Sequence, residues 1–103
     1  MDKLSFGNYI RTLRVKADLP LRKVASILDI DTSTLSKIEK GERNASDEII
    51  SGIADFFNVD ITELRIRYLS DKISYQLYDE ERGLEILKVA EEKIKYNKRK
   101  EQI

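Results

Sequence analysis

The stretch Leu21–Gly41 reads LRKVASILDIDTSTLSKIEKG, and the interpretation of the whole chain starts from it. Val24, Ala25 and Leu28 recur at helical spacing, which predicts a short amphipathic helix. Ala25 leaves room for another helix to cross close by, and the helix is expected to end at Asp29. The first half of the stretch therefore predicts a short helix packed closely against a neighbour.

A second short helix is expected after a tight turn. Asp31 should cap it, because its carboxylate can accept hydrogen bonds from the free backbone N–H groups of Thr32–Thr34. Leu35 and Ile38 form its inward face, and Gly41 suits a left-handed helix end. The outward face carries Thr32, Ser33, Ser36 and Lys37. These short or flexible donors suit a groove lined with hydrogen-bonding edges, and the major groove of B-DNA admits a helix.

The signature V-A-S-I-L-D-I-D-x-S-T-L-S-K-I-E-K-G-E-R, from Val24 to Arg43, resembles that of the Cro/repressor-type helix-turn-helix proteins, often called the XRE family. The resemblance extends over Phe6–Leu64 and implies an all-α, five-helix repressor-type bundle. In such proteins the second helix of the motif enters the major groove by its N-terminal residues. The resemblance therefore implies a sequence-specific transcriptional regulator whose partner is double-stranded DNA.

The resemblance also assigns roles to individual positions. The implied contacts to base edges are Thr32, Ser33, Ser36 and Lys37, of which Lys37 has the reach for guanine O6 and N7. The implied contacts to phosphates are Arg22, Lys40, Arg43 and the backbone near Asn44. Family members commonly pair an acid at the position of Glu39 with an arginine in the first helix, and here that arginine is Arg14.

Two positions depart from the family pattern. Pro20-Leu21 stands where the family often has Ser-Gln, which removes a side-chain cap and a common phosphate contact, so Arg22 is the candidate to replace it. Asp29 stands where glycine is usual, and aspartate tolerates the left-handed geometry at some cost. Neither change removes the second helix.

Composition narrows the possible functions. The 103 residues include no cysteine and no histidine, which excludes disulfides, thiolate or imidazole metal sites and the commonest acid–base catalyst. With no Gly-rich phosphate loop either, we expect no cofactor, no metal and no enzymatic activity. No apolar run approaches the ~20 residues that cross a membrane, and Met1–Ser5 shows no secretory pattern, so a cytoplasmic location is expected.

The charge is distributed unevenly along the chain. The formal net charge is zero, but residues 1–43 hold nine basic and six acidic side chains, while residues 44–103 hold ten and thirteen. Local charge, more than the total, decides contact with phosphates. An excess of three charges is mild, so one copy should bind DNA weakly, and useful affinity should need a dimer.

The helices outside the motif follow from periodicity and capping signals. Helices are expected at about Ser5–Lys16, from Ser46, which is a good cap, and from Asp60 to about Tyr78. The fourth helix should supply most of the core through Ile49, Ile50, Ile53, Ala54, Phe56 and Phe57, with a left-handed stop at Asn58. Asp79-Glu80-Glu81 should cap a sixth helix, and the tail from Lys98 to Ile103 should fray.

This organisation divides the chain into a DNA-binding domain at residues 1–67 and a C-terminal helical extension at residues 68–103. The extension is either extra packing or a dimerisation element, and we favour the latter because its apolar faces are wide for a small monomer. It also holds four of the five tyrosines, which are enriched at interfaces. The expected interface residues are Leu69, Ile73, Leu77, Leu84 and Leu87. The basic cluster from Lys93 to Lys100 is expected to be a solvated helix end.

Two functional hypotheses remain. The first is a dimeric regulator acting on a (pseudo)palindromic operator with half-sites ~10 bp apart, with a weaker analogy to the controllers of restriction–modification systems. The second is an antitoxin-type module that holds a protein partner through the C-terminal hairpin and represses its own operon. A selection of bound DNA and co-purification with a neighbouring gene product would distinguish them.

Overall fold

The computed structural model describes residues 5–102, and these form six α-helices without a β-strand, which confirms the all-α prediction. The helices are α1 (Phe6–Lys16), α2 (Leu21–Ile27), α3 (Thr32–Glu39), α4 (Asp47–Phe57), α5 (Ile61–Leu77) and α6 (Gly83–Glu101). The chain divides after Asp71 into two compact units. Met1–Leu4, in the N-terminal prediction, and Ile103, in the predicted fraying tail, lie outside the described residues.

The core of the first unit consists of two neighbouring apolar clusters. The larger one contains Phe6, Ile10, Ile38, Ala45, Ile50, Ile53, Ala54 and Leu64, and the smaller one contains Val24, Ala25 and Leu35. Leu35 and Ile38 both lie on α3 and are almost completely buried, so the inward face of this short helix contributes to both clusters. Ile30 and Phe57 pack against both. The core therefore holds α3 from one side only, and the residues on its other side remain exposed.

Several predicted helix ends are confirmed. The Ser5 hydroxyl accepts from the backbone of Asn8 at 3.1 Å, and the Ser46 hydroxyl accepts from that of Ile49 at 3.2 Å. Asn58 is left-handed, with φ 54°. Asp60 accepts from the backbone N–H of Thr62 at 2.9 Å at the start of α5. These four ends are set by residues within three positions of the helix, which is why local sequence signals predict them.

Other expectations were wrong. Asp31 is the N-cap residue of α3, but its side chain accepts no hydrogen bond from the helix. Phe56 is 42% exposed: its ring meets that of Phe57 edge-on at 4.9 Å, but only Phe57 packs against the core clusters. The helix α6 begins at Gly83 and not after Asp79, since the backbone turns tightly through N–H contacts from Glu80 to Leu77 and from Gly83 to Glu80.

The predicted fraying of the C-terminal tail is also wrong within the described residues. The helix α6 continues to Glu101, and its last turn carries Lys98, Arg99 and Lys100. Cations near the C-terminus of a helix interact favourably with the helix dipole. The basic cluster is therefore an exposed helix end, as expected, with charges suited to its position.

Contacts from distant parts of the chain hold the N-terminus of α1. The Asp71 carboxylate accepts a hydrogen bond of 2.8 Å from the backbone N–H of Phe6. The ring of Tyr68 meets the ring of Phe6 edge-on at 4.9 Å, and its hydroxyl accepts from the backbone of Ala45 at 3.1 Å. Sequence reasoning placed Tyr68 with the extension and missed Asp71, because neither contact has a local signal. The first half of α5 is thereby part of the first unit.

A glycine sets the closest helix contact in the first unit. A Cβ atom on Gly7 would overlap the backbone oxygen of Glu39 and would lie 2.7 Å from that of Ile38. The helix α1 therefore passes directly over the C-terminal end of α3, and no larger residue fits between them. Gly52, on α4, differs because a Cβ there would meet only the flexible end of Leu28.

Because Gly7 faces backbone and Gly52 faces a side chain, alanine substitutions at the two glycines should affect stability differently. Gly7→Ala should destabilise the fold by about 1–3 kcal/mol, since overlap with backbone outweighs the gain of roughly 1 kcal/mol in helix propensity. Gly52→Ala should be neutral or stabilising, because the Leu28 side chain can move. Urea unfolding followed by circular dichroism measures both free energies, and equal stabilities for the two variants would contradict the assignment.

Candidate nucleic-acid interface

The turn between α2 and α3 is closed by backbone hydrogen bonds. Asp29 is left-handed, with φ 57°, and its N–H donates to Ser26 O at 3.1 Å. The N–H of Ile30 donates to Ala25 O at 3.0 Å. This pair of bonds is the Schellman motif, in which glycine is the usual left-handed residue. Asp29 takes that place here, so the turn closes with a left-handed residue although no glycine is present.

The C-terminal end of α3 is closed in the same way. Gly41 has φ 78°, its N–H donates to Ile38 O at 3.1 Å, and the N–H of Glu42 donates to Lys37 O at 2.8 Å. Both ends of the turn–helix segment therefore have defined backbone geometry. As a consequence, α3 is presented as a rigid element with its outer face clear of the core.

The predicted base readers lie on this outer face. Thr32, Ser33 and Lys37 are exposed, and Ser36 is half-buried between them and the core. Within residues 5–102, none of these four side chains forms a hydrogen bond or an ion pair with another protein group. Their donors and acceptors are thus available to a ligand, and the structure brings all four to one surface of one helix.

The predicted phosphate contacts border the same segment. Arg22 lies in the first turn of α2, Lys40 ends α3, and Arg43 and Asn44 follow in the next loop; all four are exposed. Arg43 and Asn44 line a shallow depression together with Asp29 and Asp31. The two exposed carboxylates lower the local positive potential. Sequence reasoning used these acids only for turn and cap geometry and missed their place at this surface.

Behind the interface, an ion pair joins α3 to α1. Arg14 Nε lies 2.8 Å from Glu39 Oε2, Arg14 Nη2 lies 3.0 Å from Glu39 Oε1, and Arg14 Nη1 donates to Leu19 O at 3.0 Å. The side chains are 12% and 5% exposed. The hydrogen bond to Glu39 raises the pKa of Arg14 above its ordinary value, against the opposing effect of burial. The guanidinium therefore stays charged and forms a bidentate ion pair with the Glu39 carboxylate.

The residues expected at a dimer interface are not all in one unit. Leu69 belongs to the first unit and is 45% exposed. Ile73, Leu77, Leu84 and Leu87 belong to the second unit, where they line one apolar groove. Leu84 is 86% exposed, which is unusual for a leucine in a helix. The second unit thus exposes a continuous apolar surface rather than a buried core.

The described residues show neither a metal site nor a membrane span. Residues 5–102 contain no cluster of three or more acidic side chains placed to hold a metal ion. No helix among them is long and apolar enough to cross a bilayer.

Comparisons with known proteins agree with this geometry. The helix-turn-helix family model matches residues 10–64. Two crystal structures of the clp gene regulator ClgR from Corynebacterium glutamicum share the fold. The first has a TM-score of 0.55 and 18% identity, with 69% of this chain and 92% of that chain covered. The second has a TM-score of 0.56 and 17% identity, with 93% and 88% covered. No curated protein sequence matches the chain.

The ion pair behind α3 predicts that loss of Arg14 destabilises the fold more than loss of an exposed arginine. Arg14→Ala should cost about 3–5 kcal/mol in the free energy of unfolding, because it leaves the Glu39 carboxylate buried without a partner. Arg65→Ala is the control, since the Arg65–Asp47 pair is 2.7 Å long but its side chains are 45% and 85% exposed. The control should change stability by less than about 1 kcal/mol. Thermal unfolding of both variants checks this, and an unchanged Arg14→Ala protein would refute the structural role of the pair.

Proposed function

Because the chain belongs to the XRE-type helix-turn-helix family of DNA-binding transcriptional regulators, we propose that it acts in the cytoplasm as a dimer on a (pseudo)palindromic operator. The observation that carries the proposal is the outer face of α3, whose four polar side chains have no partners within the described protein. Family and fold are those of a DNA-binding regulator and not of an enzyme. The proposal concerns how this surface reads DNA and what brings two copies together.

In the proposed complex, α3 enters the major groove by its N-terminal half. Thr32 and Ser33 meet base edges there, but hydroxyls both donate and accept, so they discriminate weakly. Lys37 is the strong reader and favours guanine, whose O6 and N7 are both acceptors. Arg22, Lys40 and Arg43 contact phosphates, which fixes register without reading sequence. One copy therefore recognises only a short and loosely defined half-site.

Weak recognition by one copy favours a dimer. The net excess of positive charge in residues 1–43 is only three, and two of the acidic side chains in that count, Asp29 and Asp31, line the depression beside Arg43 and Asn44. Two copies would bind half-sites on one face of the duplex, with recognition helices ~34 Å apart. The apolar surface of the second unit, with Leu84 at its most exposed point, supports this unit as the dimerisation element.

The same apolar surface supports the second candidate function. An antitoxin-type module would use the groove lined by Ile73, Leu77, Leu84 and Leu87 to hold a different protein. The two candidates make different demands, because a dimer of this chain forms in isolation and a complex with another protein does not. Autoregulation, as in restriction–modification controllers, would appear as an operator upstream of the chain's own gene.

The DNA contacts can be tested by selection from a random pool at a stated salt concentration. Lys37→Ala should relax the preference at one base pair by ~1–3 kcal/mol. Lys40→Ala is the matched control, because loss of a phosphate contact should weaken all sequences alike and reduce the salt dependence. Uniform losses for both variants would remove Lys37 as a base reader.

The dimer can be tested by light scattering after size exclusion. The full chain should be dimeric at tens of micromolar, and Leu84→Glu should weaken self-association by roughly tenfold or more, because it puts a charge in an apolar contact. Val15→Glu is the control, since Val15 is also an exposed aliphatic residue (55%) but lies on α1, outside the second unit. A monomeric wild-type chain would refute the dimer.

A further inference from the structure

Charge is segregated along α6 and the turn that precedes it. Residues 79–92 hold six acidic and two basic side chains, a net charge of −4. Residues 93–101 hold five basic and one acidic side chain, a net charge of +4. In the structure, Glu85, Glu91 and Glu92 lie on α6, whereas Asp79, Glu80 and Glu81 lie in the tight turn that precedes it. The helix therefore has an acidic first end and a basic second end.

An apolar stripe connects the two ends. Leu84, Leu87 and Ile94 are spaced by three and seven residues, so they lie on one side of the helix. Their exposed fractions are 86%, 45% and 58%. The stripe borders the groove that also includes Ile73 and Leu77. Within the second unit, this side of α6 is only partly covered by protein, although its residues are those that normally form a core.

We propose that this face of α6 binds α6 of a second copy in the antiparallel direction. The proposal rests on the dimer proposed above and specifies its geometry. In an antiparallel pair centred near Val89, Leu84 of one copy lies against Ile94 of the other. Lys98 and Arg99 of one copy then lie near the acidic turn of the other, which contains Glu80 and Glu81. A two-fold axis repeats each contact, so the interface is self-complementary.

The charges decide the direction of pairing. In a parallel pair, the acidic end would face the acidic end and the basic end would face the basic end, which is unfavourable at both. In the antiparallel pair, the opposite ends meet. A second copy is the occupant that matches this pattern, because the face is complementary to itself in apolar residues and in charge. The helix dipoles also oppose each other in this arrangement.

Charge reversal separates the two directions. The acidic-end variant carries Glu80→Lys and Glu81→Lys, and the basic-end variant carries Lys98→Glu and Arg99→Glu. At low salt each should self-associate at least about tenfold more weakly than the wild type, since like charges then face each other across the antiparallel pair. An equimolar mixture of the two should regain dimers, which shows that the loss comes from charge and not from unfolding. Circular dichroism controls for the helix content of each variant.

Cysteine cross-linking gives an independent readout, because the chain has no cysteine of its own. With a short thiol-reactive cross-linker, Glu80→Cys and Lys98→Cys should cross-link when the two variants are mixed, and neither should cross-link alone. Cross-linking of each variant alone would indicate a parallel pair and overturn the inference.

The outcomes distinguish the inference from the proposed function. A wild-type dimer whose affinity is unchanged in the acidic-end variant would overturn the antiparallel pairing and leave the dimer intact. A wild-type chain that stays monomeric would overturn both, and it would leave the groove to a different protein. Weakened single variants, recovery on mixing and cross-linking only in the mixture would together support the antiparallel pair.

Discussion

The contact between α1 and the C-terminal end of α3 is the constraint on which the DNA-binding surface depends. The helix α3 has only eight residues, and a helix of that length is not stable alone in water. Gly7 lets α1 approach the backbone of α3, and Arg14 holds the Glu39 carboxylate from the same side. One contact is steric and the other ionic, and both act behind the face that we propose to read DNA. The outer face can therefore vary in sequence without loosening the helix.

The contrast between Arg14–Glu39 and Arg65–Asp47 shows that the burial of an ion pair matters more for stability than its N–O distance. The two ion pairs have the same kind of partners and similar distances, 2.8 Å and 2.7 Å. Only the first pair is buried away from water. In such a buried place, a charge that loses its partner is costly. The structural importance of the first pair thus follows from burial and its bidentate geometry, and the second pair is a surface feature of small energetic weight.

The sequence predicted what is encoded locally and missed what is encoded across the chain. The helices α2 and α3 follow from the spacing of Val24, Ala25, Leu35 and Ile38, because each helix contains its own apolar face. The Arg14–Glu39 pair was expected only through a family resemblance, since nothing in the spacing joins residues 25 positions apart. Asp71, which caps Phe6 across 65 positions, had no signal at all. Asp31 shows the opposite case: the sequence places a capping residue at the start of α3, but its side chain forms no hydrogen bond with the helix.

The zero net charge of the chain hides an uneven distribution of charge along the sequence. Positive charge near α3 is modest, and the charges of α6 are balanced between its two ends. A molecule built in this way has little long-range attraction to DNA as a single copy. If two copies must join before a site is held firmly, occupancy below the dimer dissociation constant rises with the square of the protein concentration, by mass action. Sensitivity to its own concentration then follows from weak monomer binding and from self-association, without the need for a small-molecule signal.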